Sequence, residues 1–184
     1  AVTSQSFGNT SYIINGSLSN ATMNPKDFGS IEAWSGHRAT TAWHGLYGNL
    51  ATSTDVRSKL FWTQGHVPDM DSDSKGIGYK QWIKGYPSIK FTNLRSEGNS
   101  EATQFASTDF PLFRLADIYL MYAEAHLRGG GGNDLVALGY VNAVRSRSNA
   151  NEVTSIDLDF ILDERARELN LEGHRRTDLI RFGK

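Results

Sequence analysis

The chain has 184 residues, 39% of them hydrophobic, which is enough for one globular domain of ordinary size. With 19 Lys and Arg against 20 Asp and Glu the net charge is −1, so there is no basic field to hold a nucleic-acid backbone. The absence of cysteine removes disulfides, thiolate nucleophiles and sulfur metal sites, and no apolar run nears the roughly 20 residues of a membrane-spanning helix.

The opening AVTSQSFGNT is polar and lacks the charged start and apolar stretch of a signal peptide. Any export signal or lipid-bearing cysteine is therefore expected upstream of Ala1, and the chain reads as a fragment. Residues 1–108 are rich in Ser, Thr, Asn and Gly, so loops should dominate, with brief strands at Tyr12-Ile13-Ile14 and Ile89-Lys90-Phe91. One short helix is predicted behind the capping residues Thr40 and Thr41, because Trp43, Leu46, Tyr47 and Leu50 recur on one apolar face.

The texture changes at Thr108-Asp109-Phe110-Pro111, a polar cap candidate followed by a proline that a first helical turn tolerates. A helix should follow, with an apolar stripe of Leu112, Leu115, Ala116, Tyr119, Tyr122 and Ala123, ending at Gly129 to Gly132. A second helix is predicted from Asp134 through Leu138, Val141 and Val144 to Arg145-Ser146-Arg147, whose cations suit the negative helix end. The two form an antiparallel pair. Thr154 and Asp157 offer a capping box for a third helix with Phe160, Ile161, Ala166 and Leu169 inward, closed by Gly173 and followed by a last segment from Thr177 to Arg181.

Four ordered blocks carry a resemblance to a known family. Asp109-Phe110-Pro111 leads into Arg114-Leu115-Ala116-Asp117-Ile118-Tyr119-Leu120-Met121-Tyr122-Ala123-Glu124-Ala125, which is similar to an Arg-Leu-Ala-x-Ile/Val-Tyr-Leu-x-x-Ala-Glu-Ala helix. Val141-Asn142-Ala143-Val144-Arg145-Ser146-Arg147 is similar to Val-Asn-x-Val-Arg-x-Arg, and Ile161 to Leu169 to Ile-Leu-x-Glu-Arg-x-x-Glu-Leu. Glu172 to Arg181 resembles Glu-Gly-x-Arg-x-x-Asp-Leu-x-Arg. Together these resemble the SusD/RagB family, with a looser likeness at Trp34 to Gly36, Thr40-Thr41 and Asp55 to Arg57.

The resemblance implies a mainly α, SusD-like fold with irregular loops, a few short strands and a tetratricopeptide-like helical pair. It divides into a loop-rich ligand-facing region, 1–108, and a helical region, 109–184, of one SusD-like domain incomplete at its amino terminus. It also implies a surface lipoprotein of the outer membrane in Bacteroidetes-type bacteria. Such a protein binds an oligosaccharide or other nutrient and passes it to a SusC-like TonB-dependent transporter, needing no cofactor and doing no chemistry. Attachment to the membrane would be by a lipid anchor outside these residues.

Glu164, Glu168 and Glu172 lie on one helical face, which superficially offers paired carboxylates. Arg165, Arg167, Arg175 and Arg176 beside them favour an ion-paired or solvated face instead, and consecutive turns of one helix cannot flank a glycosidic bond. Asp69, Asp71 and Asp73 alternate as in a calcium loop, but the glycine falls late and the closing glutamate is missing, so a solvated loop is expected and no metal site. Five scattered histidines lack the HExxH spacing, and no Gly-x-Ser-x-Gly elbow occurs. No catalytic residue is expected.

All four tryptophans, Trp34, Trp43, Trp62 and Trp82, fall before residue 108. A pyranose packs its C–H bonds on an aromatic face while neighbouring polar groups bond its hydroxyls. Trp43 sits on a periodic stripe and reads as core. The ligand-binding candidates are Trp34 with His37 and Arg38, then Trp62, Tyr79 and Trp82. Two other readings stay open: a helical scaffold that contacts the transporter while the ligand site lies upstream, and a glycoside hydrolase.

Overall fold

The computed structural model describes residues 10–68, 83–97 and 102–184. Asp69, Asp71, Asp73, Tyr79 and Trp82 lie outside the described residues. As expected, the fold is mainly helical with irregular loops. Its helices are α1 (Ser11–Ser17), α2 (Thr41–His44), α3 (Leu115–Leu127), α4 (Asp134–Arg147), α5 (Leu158–Glu168) and α6 (Arg175–Arg181), with short 3₁₀ turns at Pro25–Phe28, Gly45–Tyr47 and Val56–Leu60. The chain divides into two compact units.

The first unit comprises residues up to His44 together with 60–110. Its core is Ile14, Leu18, Met23 and Phe28, flanked by Ala33, Trp62, Ile89, Phe91 and Ala106. Two expectations fail here. Tyr12-Ile13-Ile14 is not a strand but the start of α1, where Ile14 and the capping residue Leu18 just past the helix are buried one turn apart. Ile89-Lys90-Phe91 is extended loop, and pairing among the described residues is confined to single bridges such as Phe61 with Ser88 and Ala39 with Tyr86. The helix expected behind Thr40 is only α2, and its tryptophan Trp43 packs edge-on against Phe61 at 5.2 Å.

The second unit joins residues 45–59 to 111–184. α3 and α4 pair through a core of Leu120, Ala123, Ala137 and Val141, to which α5 adds Ile161. Tyr119 and Tyr140 stack across the pair at 4.3 Å. The turn between them depends on glycine. Gly132 holds φ +99°, and a Cβ there would lie 2.7 Å from the Tyr122 hydroxyl. Asn133 caps α4 by accepting from the backbone N–H groups of Leu135 and Val136.

α3 begins later than the sequence predicts. Arg114 is extended, while Leu112 and Phe113 are 72% and 87% exposed ahead of the helix. The inner face is also rotated from the expected stripe, for Asp117, Leu120, Ala123 and Glu124 are the buried positions. Two carboxylates on that face explain why apolar periodicity misplaces it. α5 departs at its start: Asp157, not Thr154, is the cap, accepting from the backbone N–H of Phe160 at 2.7 Å.

The residues that sew the second unit together are charged. Arg165 of α5 donates to Asp117 of α3 at 2.8 Å and to Asp178 of α6 at 2.9 Å, and these side chains are 3%, 8% and 2% exposed. Glu124 of α3 accepts from Arg128 and Arg181. The 45–59 segment joins through Arg57, whose guanidinium meets Asp55, Glu164 and Glu168 at 2.7 to 2.9 Å. Backbone and side-chain bonds add to that attachment, from Val56 N–H to the Ser148 carbonyl and from the Tyr47 hydroxyl to the Arg167 carbonyl.

Candidate ligand-binding site

In the first unit, Trp34, His37 and Arg38 are brought to the end of α1. The carbonyls there have no helical partner, and loop 34–37 supplies donors for them. Trp34 N–H bonds the Asn15 carbonyl at 2.8 Å, Ser35 N–H that of Leu18 at 2.8 Å, and Gly36 and His37 N–H both that of Gly16 at 2.8 and 2.7 Å. Ser35 takes φ +57° to make this wrap, and its hydroxyl donates to the Asn20 amide oxygen. The fit is close at Gly16, where a Cβ would come within 3.1 Å of the His37 ring.

The side chains are half-buried and polar-linked. The Trp34 indole N–H donates to Glu32 at 2.8 Å, and the other oxygen of Glu32 accepts from the exposed Gln104 amide at 2.9 Å. Asn15 ties the layer beneath, accepting from the Ser30 hydroxyl and donating to the Gln104 carbonyl. The His37 ring meets Tyr12 edge-on at 4.6 Å. Burial, and then the adjacent Arg38 charge, lower the His37 pKa, which keeps the imidazole neutral at pH 7 with one donor and one acceptor nitrogen. Burial also pulls Arg38 down to about 10, still cationic at pH 7, and its guanidinium bonds the His37 carbonyl at 2.7 Å.

One indole, a neutral imidazole, a guanidinium, a carboxylate and an amide thus share one loop-and-helix end. That is the chemistry of hydroxyl recognition beside an aromatic surface. Tyr12, Glu32 and Gln104 were not among the sequence candidates. Glu32 and Gln104 stand 72 positions apart, and no local pattern links them. Trp62 has a different setting. It packs on the first unit's core, 6.0 Å from Phe28 in an edge contact, and donates its indole N–H to the Gln64 carbonyl.

In the second unit Glu164, Glu168 and Glu172 are ion-paired, and buried rather than solvated at 0%, 3% and 5% exposed. Arg114 clasps Glu172 with two bonds of 2.6 and 2.7 Å and Glu168 with a third. Burial alone would raise the Glu168 pKa, but hydrogen bonding to Arg114 and the charges of Arg114, Arg57 and Arg147 hold it below the ordinary 4.5. A depressed folded-state pKa contributes stability that is present above the unfolded value and lost as pH falls through the folded one. Glu124, paired with Arg181 and Arg128, shifts the same way. The urea midpoint of the helical unit should therefore be level above about pH 5 and fall steadily towards pH 3. An unchanged midpoint would contradict the assignment. Among the described residues no three His, Asp or Glu side chains gather to hold a metal ion.

Comparison with known proteins places the sequence in a family. The SusD family model matches residues 62–184. The chain belongs to the SusD family. Its relatives include the starch-binding protein SusD of Bacteroides thetaiotaomicron, 46% identical over 102 residues, which are 54% of this chain and 18% of that protein. A SusD-like protein of Bacteroides ovatus is 29% identical over 181 residues, 92% of this chain and 31% of the relative. SusD-like protein P25 of Formosa agariphila is 44% identical over 80 residues, 39% of this chain and 15% of the relative. The chain thus spans less than a third of these relatives. No described helix is long and apolar enough to cross a membrane.

Proposed function

We propose that this SusD-family chain is part of a cell-surface glycan-binding protein that captures an oligosaccharide and delivers it to a SusC-like TonB-dependent transporter. The observation that carries the reading is family membership together with 46% identity to a relative named as starch-binding. The protein holds its ligand without turning it over, is anchored in the outer membrane by a lipid, and faces outwards. Within the chain, the loops up to residue 108 meet the ligand while the helices from 109 onward act as their framework.

Trp34, His37 and Arg38 form the ligand-facing group in this reading, with Glu32 and Gln104 orienting the indole. Trp62, Tyr79 and Trp82 remain candidates for flanking contacts. Trp34→Ala should weaken binding of a bound malto-oligosaccharide about 3- to 10-fold, read by quenching of the remaining tryptophans. A folded Trp34→Ala protein that binds a panel of oligosaccharides as tightly as the parent would refute this placement. Release of reducing sugar should stay at background throughout.

A second reading, that the helical unit chiefly contacts the transporter, is favoured by the exposure of Phe113, Leu115, Leu135 and Ile180. Transporter binding kept by protein that captures no glycan would select it.

A further inference from the structure

The second unit contains a cavity of about 280 Å³ that the glycan-binding reading leaves unused. Its walls come from the 45–59 segment, the end of α4 and one face of α5. Phe160, Leu46 and Ala150 give it an apolar side, Ser53, Thr54 and Asn151 a polar one, and Arg145 and Arg167 line it with charge. Pockets for drug-sized ligands occupy roughly 300–1,000 Å³, so this one suits a single small ring.

Both guanidiniums are set by partners that do not exhaust them. Arg145 spends Nε on the Asn151 carbonyl at 2.7 Å and Nη1 on Glu164 at 2.7 Å. Arg167 spends Nε on the same Glu164 oxygen at 2.9 Å and Nη1 on the Leu46 carbonyl at 3.2 Å. In each, Nη2 has no hydrogen-bond partner among the described residues. Both also lie against the Phe160 ring, at 5.4 and 5.6 Å from its centre. Side-chain exposures of 13% and 11% leave them largely shielded from water, where a charge-assisted bond is strengthened.

The charge balance also favours an anion. Arg57, Arg114, Arg145, Arg147 and Arg167 share the carboxylates of Asp55, Glu164, Glu168 and Glu172, which is five cations to four anions. Asp55 also lines the cavity, but Arg57 already covers both its oxygens with bonds of 2.7 to 3.2 Å. We infer that this cavity binds the carboxylate of a sugar acid, with Arg145 and Arg167 on the carboxylate, Phe160 and Leu46 along the ring, and Thr54 and Asn151 at its hydroxyls. The inference does not rest on the proposed glycan site, which lies in the other unit, so either can fail alone.

The test is calorimetric or NMR titration of the whole chain with galacturonate, galactose and acetate. Galacturonate should bind at least about tenfold more tightly than either of the others and weaken as salt is added. Thr54→Glu places a new carboxylate at the exposed rim without touching the ion network, and should abolish galacturonate binding while leaving thermal unfolding unchanged. Equal binding of galactose, equal binding of acetate, no galacturonate binding, or undiminished binding by folded Thr54→Glu would each overturn the assignment.

Discussion

Glu164→Ala is expected to cost the helical unit about 3–5 kcal/mol, the penalty typical of removing one partner from a buried ion network. Glu164 is fully buried, yet three guanidiniums converge on it: Arg145 and Arg167 on Oε2, and Arg57 at 2.9 Å from Oε1. The Arg57 contact is electrostatic more than directional, since Oε1 lacks a hydrogen bond of good geometry. Removing the carboxylate therefore strands buried positive charge on α4, on α5 and on the 45–59 segment at once. Thermal unfolding should move down by about 6–20 °C. Asp159→Ala is the control, because the Asp159–Lys184 pair is exposed at 76% and 52% and should be worth less than about 1 kcal/mol. A Glu164→Ala loss no larger than that of the control would mean the network is incidental to stability.

How such a centre escapes a reading of the sequence is visible in its parts. The bounds of α4 and the halt of α3 at the glycines were legible because they are local: an apolar repeat from Asp134 onward, basic residues in the last turn, and φ angles only glycine takes comfortably. The Arg-Glu lacing of α5 was legible as composition but not as burial. Arg57 reaches Glu168 from 111 positions away, and nothing near Asp55-Val56-Arg57 announces that distance. The same holds for the ligand candidates. Trp34 stood out as an indole outside any periodic stripe, whereas Glu32 and Gln104, which orient it, carry no pattern at all. Tyr12-Ile13-Ile14 went wrong for a third reason: three apolar residues do not distinguish a short helix from a strand, and the capture of α1's terminal carbonyls by loop 34–37 decides in favour of helix.

Arg165→Ala should be comparably severe, about 3–5 kcal/mol, though for the opposite charge. Here one buried cation serves two carboxylates on different helices, Asp117 on α3 and Asp178 on α6, so its loss leaves two anions short of a partner. Asp178 keeps Arg181 at 2.7 Å, but that guanidinium is already engaged with Glu124 and is 41% exposed. Lysine should rescue only part of the loss, because a point charge cannot present the Nε and Nη1 donors that reach the two helices together. The decisive comparison is Arg165→Met combined with Asp117→Leu and Asp178→Leu. If the damage comes from unpaired charge and not from lost packing, urea denaturation should show this triple variant more stable than Arg165→Ala alone, even though it removes more of the native network. A triple variant that is weaker than the single one would assign the role of Arg165 to shape and overturn the view that α3, α5 and α6 are held in place by charge.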